Sequence, residues 1–187
     1  MTEIITGDCR IEIPNLEDDY IDCIMTSPPY WGLRDYGHSD QLGLESTPEE
    51  YLKNMLYVFD LVKPKLKDVG NCFVNLGDTF STKSGGMAQG EWNKLGHNEK
   101  RGIIKQPKIN LPDKCLCMIP QRFAWGMIER GWILRNEIIW HKPNHMPESV
   151  TDRLTKSHEV IYHFVKQGKY YYDLDAIREP HKTQSIE

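Results

Sequence analysis

The run Thr26-Ser27-Pro28-Pro29-Tyr30-Trp31-Gly32-Leu33-Arg34-Asp35-Tyr36-Gly37 constrains this chain more than any other stretch. It follows Tyr20-Ile21-Asp22-Cys23-Ile24-Met25, a short apolar run with β-branched residues that predicts a buried strand. Two consecutive prolines cannot continue that strand's hydrogen-bond ladder, and Pro28 disfavours a helical conformation at Ser27. The chain must therefore leave the carboxyl end of the strand as a stiff, extended loop. In open α/β sheets that is where ligands bind.

Such a loop suits methyl transfer to an amino group conjugated with a ring. The lone pair of that nitrogen is delocalised, which makes it a poor nucleophile. The hydroxyl of Ser27 and the carbonyl of Pro28 could both accept its N–H bonds. That would favour a tetrahedral nitrogen whose lone pair points at the incoming methyl, with the gain largest in the transition state. The Tyr30 ring is placed to stack on a flat substrate, and Pro29 stiffens the loop so that little entropy is lost on ordering it.

Ser-Pro-Pro-Tyr after an apolar strand resembles the catalytic motif of amino-group DNA methyltransferases, the enzymes that make N4-methylcytosine or N6-methyladenine. The extension Trp31-Gly32-Leu33-Arg34-Asp35-Tyr36 makes the match far more specific than the four-residue core. A second match to the same group runs through Trp140-His141-Lys142-Pro143-Asn144, Pro147, Asp152-Arg153 and His158-Glu159. In that group this segment lies across the active-site mouth, near the flipped base and the DNA backbone.

The resemblance implies a Rossmann-like α/β fold with a mainly parallel sheet and antiparallel strands near the C-terminus. It implies S-adenosylmethionine as cofactor and double-stranded DNA as partner. Ser27, Pro28, Pro29 and Tyr30 would be catalytic, and Thr26, Ser27 and Asp8 would border the cofactor. Trp31, Arg34, Lys142 and Arg153 would support the site or contact DNA. Gly7-Asp8 is a recurrent companion of the motif, and Asp8 either approaches the cofactor or caps the next helix. Serine at the first motif position leans toward cytosine N4, because adenine enzymes of the family more often carry aspartate there. Similar motifs, usually with asparagine first, occur in enzymes that methylate RNA or a protein glutamine.

One family feature is missing. The glycine-rich turn Phe-x-Gly-x-Gly, which also holds the cofactor, does not occur in this sequence. In the group that places Ser-Pro-Pro-Tyr first, that turn comes later in the chain. Either a further C-terminal segment or a second polypeptide supplies the cofactor half, or the pocket is built differently. A methyltransferase-like half that only holds DNA for a partner is the rival reading.

Composition sets the remaining bounds. A chain of 187 residues is expected to be one catalytic region spanning 1–187. No apolar run reaches the length of a membrane span and the N-terminus lacks a signal-peptide pattern, so a cytoplasmic location is expected. Five scattered cysteines, an odd number, predict free core thiols rather than a disulfide framework. His141, His145 and His158 match no standard ligand spacing and methyl transfer needs no metal, so no metal site is expected. The net charge is −4, so any nucleic-acid contact must come from a local patch. Residues 79–112 supply one: six basic residues against two glutamates give +4, leaving −8 for the rest. That stretch is expected to be a mobile basic clamp on the phosphate backbone.

Helical and strand signals fill in the order. Glu3–Thr6 predicts a first strand ended by Gly7-Asp8, and a short helix or turn runs through Ile11, Ile13 and Leu16. Thr47-Pro48-Glu49-Glu50 is a helix start, followed by an apolar face of Tyr51, Met55, Val58, Phe59, Val62 and Leu66 and a stop at Gly70. Cys72–Leu76 predicts a strand parallel to the first through a βαβ crossover, with Asn75 and Asp78 near its end. A helix over 118–131, strands over 132–140 and 158–165, and a short piece over 169–172 complete the chain.

Overall fold

The computed structural model describes residues 2–81 and 110–180, so most of the basic stretch lies outside the described residues. The element order is α1 (Cys9–Glu12), a 3-10 turn (Ile13–Asn15), β1 (Ile21–Thr26), α2 (Pro48–Val62), β2 (Leu66–Leu76), α3 (Ile119–Glu129), β3 (Ile133–His141), β4 (His158–Val165) and a last 3-10 turn (Asp175–Ile177). The four strands form one sheet in the order β1-β2-β4-β3. β1 and β2 are parallel around α2, while β4 runs antiparallel to both β2 and β3. Three strands therefore share one direction and the C-terminal β4 opposes them. This is a mixed, open α/β sheet.

Alternation along the strands separates two faces. Cys72, Val74 and Leu76 of β2 and Tyr162 and Phe164 of β4 are buried on the face covered by α2 and α3. Phe123 of α3 bridges the layers, edge-on to Phe59 of α2 at 5.1 Å and to Phe164 at 6.2 Å. α2 starts as expected, with Thr47 Oγ1 accepting the Glu50 amide at 3.1 Å and Pro48 at the first position. On the other face Phe73 stacks on His163, which hands a hydrogen bond to Asn71 Oδ1 at 2.7 Å. Among the described residues no helix is long and apolar enough to cross a membrane.

Five local expectations are corrected. Glu3–Thr6 forms no strand, because Ile4 and Ile5 are exposed and no partner strand lies beside them among the described residues. α2 ends at Val62, and Leu66 already belongs to β2. Gly70 lies inside β2 rather than after the helix. An added Cβ there would meet Asp22 O at 2.9 Å and Leu66 Cδ1 at 2.6 Å, so glycine lets β1 approach. Residues 169–172 form no strand, although the Tyr171 amide reaches Val69 O at 2.9 Å. The cysteines are all free, but Cys9 and Cys23 are exposed and only Cys72 and Cys117 are buried.

Cys72 gives the core a pH dependence. Burial, reinforced by Cys23, pushes its thiol from 9.0 up to about 12. Between those values the unfolded thiol is ionised while the folded one is not, so the unfolded chain binds fewer protons and stability falls as pH rises. The expected slope from this group is about 1.4 kcal/mol per pH unit. Urea unfolding at pH 8 and at pH 10.5 measures it, and Cys72→Ala should flatten the difference by one group's share.

Candidate active site

The sheet topology brings four strand ends to one place. β1, β2 and β3 end where β4 begins, with Thr26 paired to Val74, Leu76 to Val160 and His141 to His158. Residues far apart in sequence therefore meet there: Ser27 and Tyr30 after β1, Asn75 in β2, Lys142 after β3 and Glu159 at the start of β4.

Their polar atoms form one network. The Tyr30 hydroxyl lies 2.8 Å from Asn75 Oδ1 and 3.1 Å from Glu159 Oε2, both acceptors for its proton. Ser27 Oγ points its proton inward, 3.3 Å from Asn75 Oδ1 and 3.4 Å from the Tyr30 oxygen. Asn75 is itself oriented by its Nδ2 donating to Val160 O at 3.0 Å. Lys142 closes the chain with an ion pair to Glu159, and its ammonium sits over the Trp140 ring at 4.7 Å. Burial works to raise the Glu159 carboxyl, but the hydrogen bond and charge of Lys142, with help from Tyr30, outweigh it and hold the acid below its usual range. Burial first, and the Glu159 charge after it, push the Tyr30 phenol up to about 12, against the pull of Ser27.

The loop is fixed from behind. The Pro29 carbonyl accepts the Tyr51 hydroxyl of α2 at 2.8 Å, which ties the motif to the core. Among the described residues none donates to the Pro28 carbonyl. The Tyr30 ring lies close against Gly77, where an added Cβ would come within 2.6 Å of Cε2 and 2.8 Å of Cδ2.

The remaining candidates divide. Trp31 is 4% exposed and donates to Glu45 O at 2.9 Å, so it packs the loop into the core and presents no surface to DNA. Arg34 is exposed on the loop beyond it. Arg153 pairs with Glu148 and lies 4.1 Å over the Phe80 ring, with no hydrogen bond to the network around Glu159 among the described residues. Asp8 caps α1, accepting the Arg10 amide at 2.9 Å, and the Arg10 guanidinium pulls its carboxyl down to about 2. Of the two roles open to Asp8, the structure displays the cap.

Asp78 also has a clear duty. Its carboxylate accepts the amides of Thr79, Met118 and Ile119 at 2.9–3.0 Å, supplying the cap that left-handed Met118 cannot give α3. Asp78→Ala is expected to cost about 2 kcal/mol in urea unfolding, more than an ordinary single cap, because three amides lose one acceptor. Glu159 was legible in sequence only as part of the His158-Glu159 match. Its meeting with Tyr30, 129 positions away, needed the sheet register.

Comparison with known proteins gives a consistent set of relatives. A family profile described as DNA methylase matches residues 21–187. The Type II methyltransferase M.SmaI of Serratia marcescens is 43% identical over 95% of this chain and 60% of its own length. M.Cfr9I of Citrobacter freundii, also a Type II methyltransferase, is 41% identical over 94% of this chain and 58% of its own. The chain thus spans about three-fifths of these curated relatives. Among solved structures, the cytosine-N4-specific PvuII DNA methyltransferase superposes with a TM-score of 0.64 at 18% identity, covering 91% of this chain and 51% of that one. A Thermus thermophilus protein described as a putative DNA modification methylase, solved with S-adenosyl-L-methionine, gives 0.56 at 20% identity over 91% of this chain and 55% of that one. At those identities the likeness establishes the fold.

Proposed function

This chain belongs to the N6/N4 DNA methylase family, and from that premise we propose that it is the catalytic region of a Type II DNA methyltransferase acting on an exocyclic amine, cytosine N4 ahead of adenine N6. The observation that carries the reading is the acceptor pair at the end of β1. Ser27 spends its proton inward on Asn75 and Tyr30, which leaves its outer lone pairs for a substrate N–H. The Pro28 carbonyl is the second acceptor, since the Pro29 carbonyl is already used by Tyr51. Two acceptors on one amine turn its lone pair out of conjugation as the new bond forms. Tyr30 forms the wall against which the base lies, held by Asn75, Glu159 and Gly77. The base must leave the duplex to reach this depth.

The cofactor of the family is S-adenosylmethionine, which supplies an electrophilic methyl group when bound. The chain's own residues supply one wall for it, Thr26 and Ser27 at the end of β1, while Asp8 is committed to Arg10 and α1. β1 lies at the edge of the described sheet, with Met25 79% exposed. The opposite wall, with the glycine-rich turn, is assigned to a further segment or a partner chain joining that edge. Residues 1–187 act in this reading as one catalytic region, with Arg34 and the basic stretch 79–112 assigned to the DNA backbone and Lys142 to Glu159.

The test is transfer of labelled methyl from S-adenosylmethionine to mixed-sequence DNA, by the chain alone and with the cofactor half added, with nucleosides identified by mass. Label in N4-methylcytosine is the expected result. Label in N6-methyladenine would overturn the choice of base, and label on RNA or protein glutamine but not on DNA would overturn the substrate.

A further inference from the structure

Methylation leaves the amine with a positive charge and one proton too many. The nitrogen lone pair forms the bond to carbon, the sulfur–methyl bond breaks with its pair on sulfur, and the nitrogen then carries the charge. A serine hydroxyl and a proline carbonyl are both too weakly basic to keep that proton. The base must lie farther in.

We propose that the proton leaves through Ser27 and the Tyr30 hydroxyl and comes to rest on Glu159. The inference rests on the amine-methylation reading above and deepens it. Three features of the network carry it. Each hydroxyl has the next group in one sequence within donating reach, Ser27 to Tyr30 and Tyr30 to Glu159, with Asn75 Oδ1 shared between them. The terminal group is a carboxylate kept ionised by its ion pair with Lys142, so it is empty when the proton arrives. Its side chain is 21% exposed, which allows it to release the proton to water afterwards.

The balance closes. The amine N–H bond breaks with its pair left on nitrogen, and its proton binds Ser27 Oγ. The former Ser27 proton moves to the Tyr30 oxygen, and the former Tyr30 proton moves to Glu159 Oε2. Ser27 and Tyr30 end as they began, the methylated amine is neutral, and Glu159 is a carboxylic acid. Asn75 Oδ1, within reach of both hydroxyls, keeps the two oxygens in line throughout. Among the described residues the charged and titratable groups facing Glu159 are Lys142 and Tyr30, and Asn75 stays neutral. Because Lys142 depresses Glu159, the route is open above the depressed value and closes as pH falls through it.

Tyr30→Phe keeps the ring and removes the relay, while Glu159→Gln keeps a side-chain oxygen and removes the base. In the complete enzyme, each is expected to slow single-turnover transfer about 10–100-fold with the KM for DNA within about twofold. The double variant should be no slower than the slower single one. Glu159→Gln should erase the acidic limb of the rate profile, and Glu159→Asp should retain it. A second readout needs no methyl donor: in the ligand-free chain, the ultraviolet titration lost on Tyr30→Phe belongs to Tyr30, and it should move to lower pH in Glu159→Gln. Multiplying losses in the double variant, an unchanged acidic limb, or an unmoved Tyr30 titration would each overturn the route. A wild-type enzyme that methylates no amine would overturn the function instead, with the Tyr30 titration still reporting whether the contact exists.

Discussion

Ser27→Ala is expected to lower single-turnover methyl transfer about 10²–10³-fold, the range seen when one preorganised hydrogen-bonding group is removed from a transition-state site. The variant takes away one of the two acceptors that turn the amine lone pair toward the methyl, and it cuts the first step of proton release. DNA affinity should stay within about twofold, because the lost interaction matters most in the transition state. The fold should be indifferent: at 3.3 and 3.4 Å the Ser27 bonds to Asn75 and Tyr30 are long, and Tyr30 keeps its shorter bond to Asn75 at 2.8 Å. The check is a rate measurement beside an unfolding midpoint. A full-speed variant would remove Ser27 from the chemistry, whereas a slow variant with a shifted midpoint would show only a structural role.

Gly77→Ala is expected to cost about 100-fold in turnover without touching substrate. The added carbon would press on the Tyr30 ring at 2.6 and 2.8 Å, closer than carbon atoms tolerate. The ring has few ways to yield. Its hydroxyl is held by Asn75 and Glu159, and the backbone before it is anchored through the Pro29 carbonyl to Tyr51. It must swing by a fraction of an ångström to about one ångström, enough to misplace the base it supports. Overpacking should also lower stability by about 1–3 kcal/mol. Rate and unfolding together decide the matter: unaltered turnover would mean that the position of the Tyr30 ring is not demanding.

These two residues show where sequence reasoning reached and where it stopped. The Ser27 loop was legible because proline acts locally, as was the start of α2, where Thr47, Pro48 and Glu50 declare a helix within four positions. The strands over 133–141 and 158–165 were legible from their apolar runs. Glu3–Thr6 misled because β-branched residues indicate a strand without saying whether a neighbour exists to pair with. Gly70 misled because a glycine after a helix and a glycine under a crossing backbone look alike in sequence. The contacts of Tyr30 with Asn75, Gly77 and Glu159 were hidden for a stronger reason. They depend on the pairing of β1 with β2, segments at least forty-five positions apart, and for Glu159 also on that of β2 with β4, more than eighty positions apart.

The place of β1 at the edge of the described sheet has a practical consequence. Cys23 sits on that strand and is exposed, as is Cys9 at the start of α1, while Cys115 is half-buried and Cys72 and Cys117 are shut inside the core. The native chain thus offers a thiol reagent two accessible sites and withholds two others. Any segment or subunit that settles on β1 will shield Cys23, and a drop in its alkylation rate will time that event without an added label.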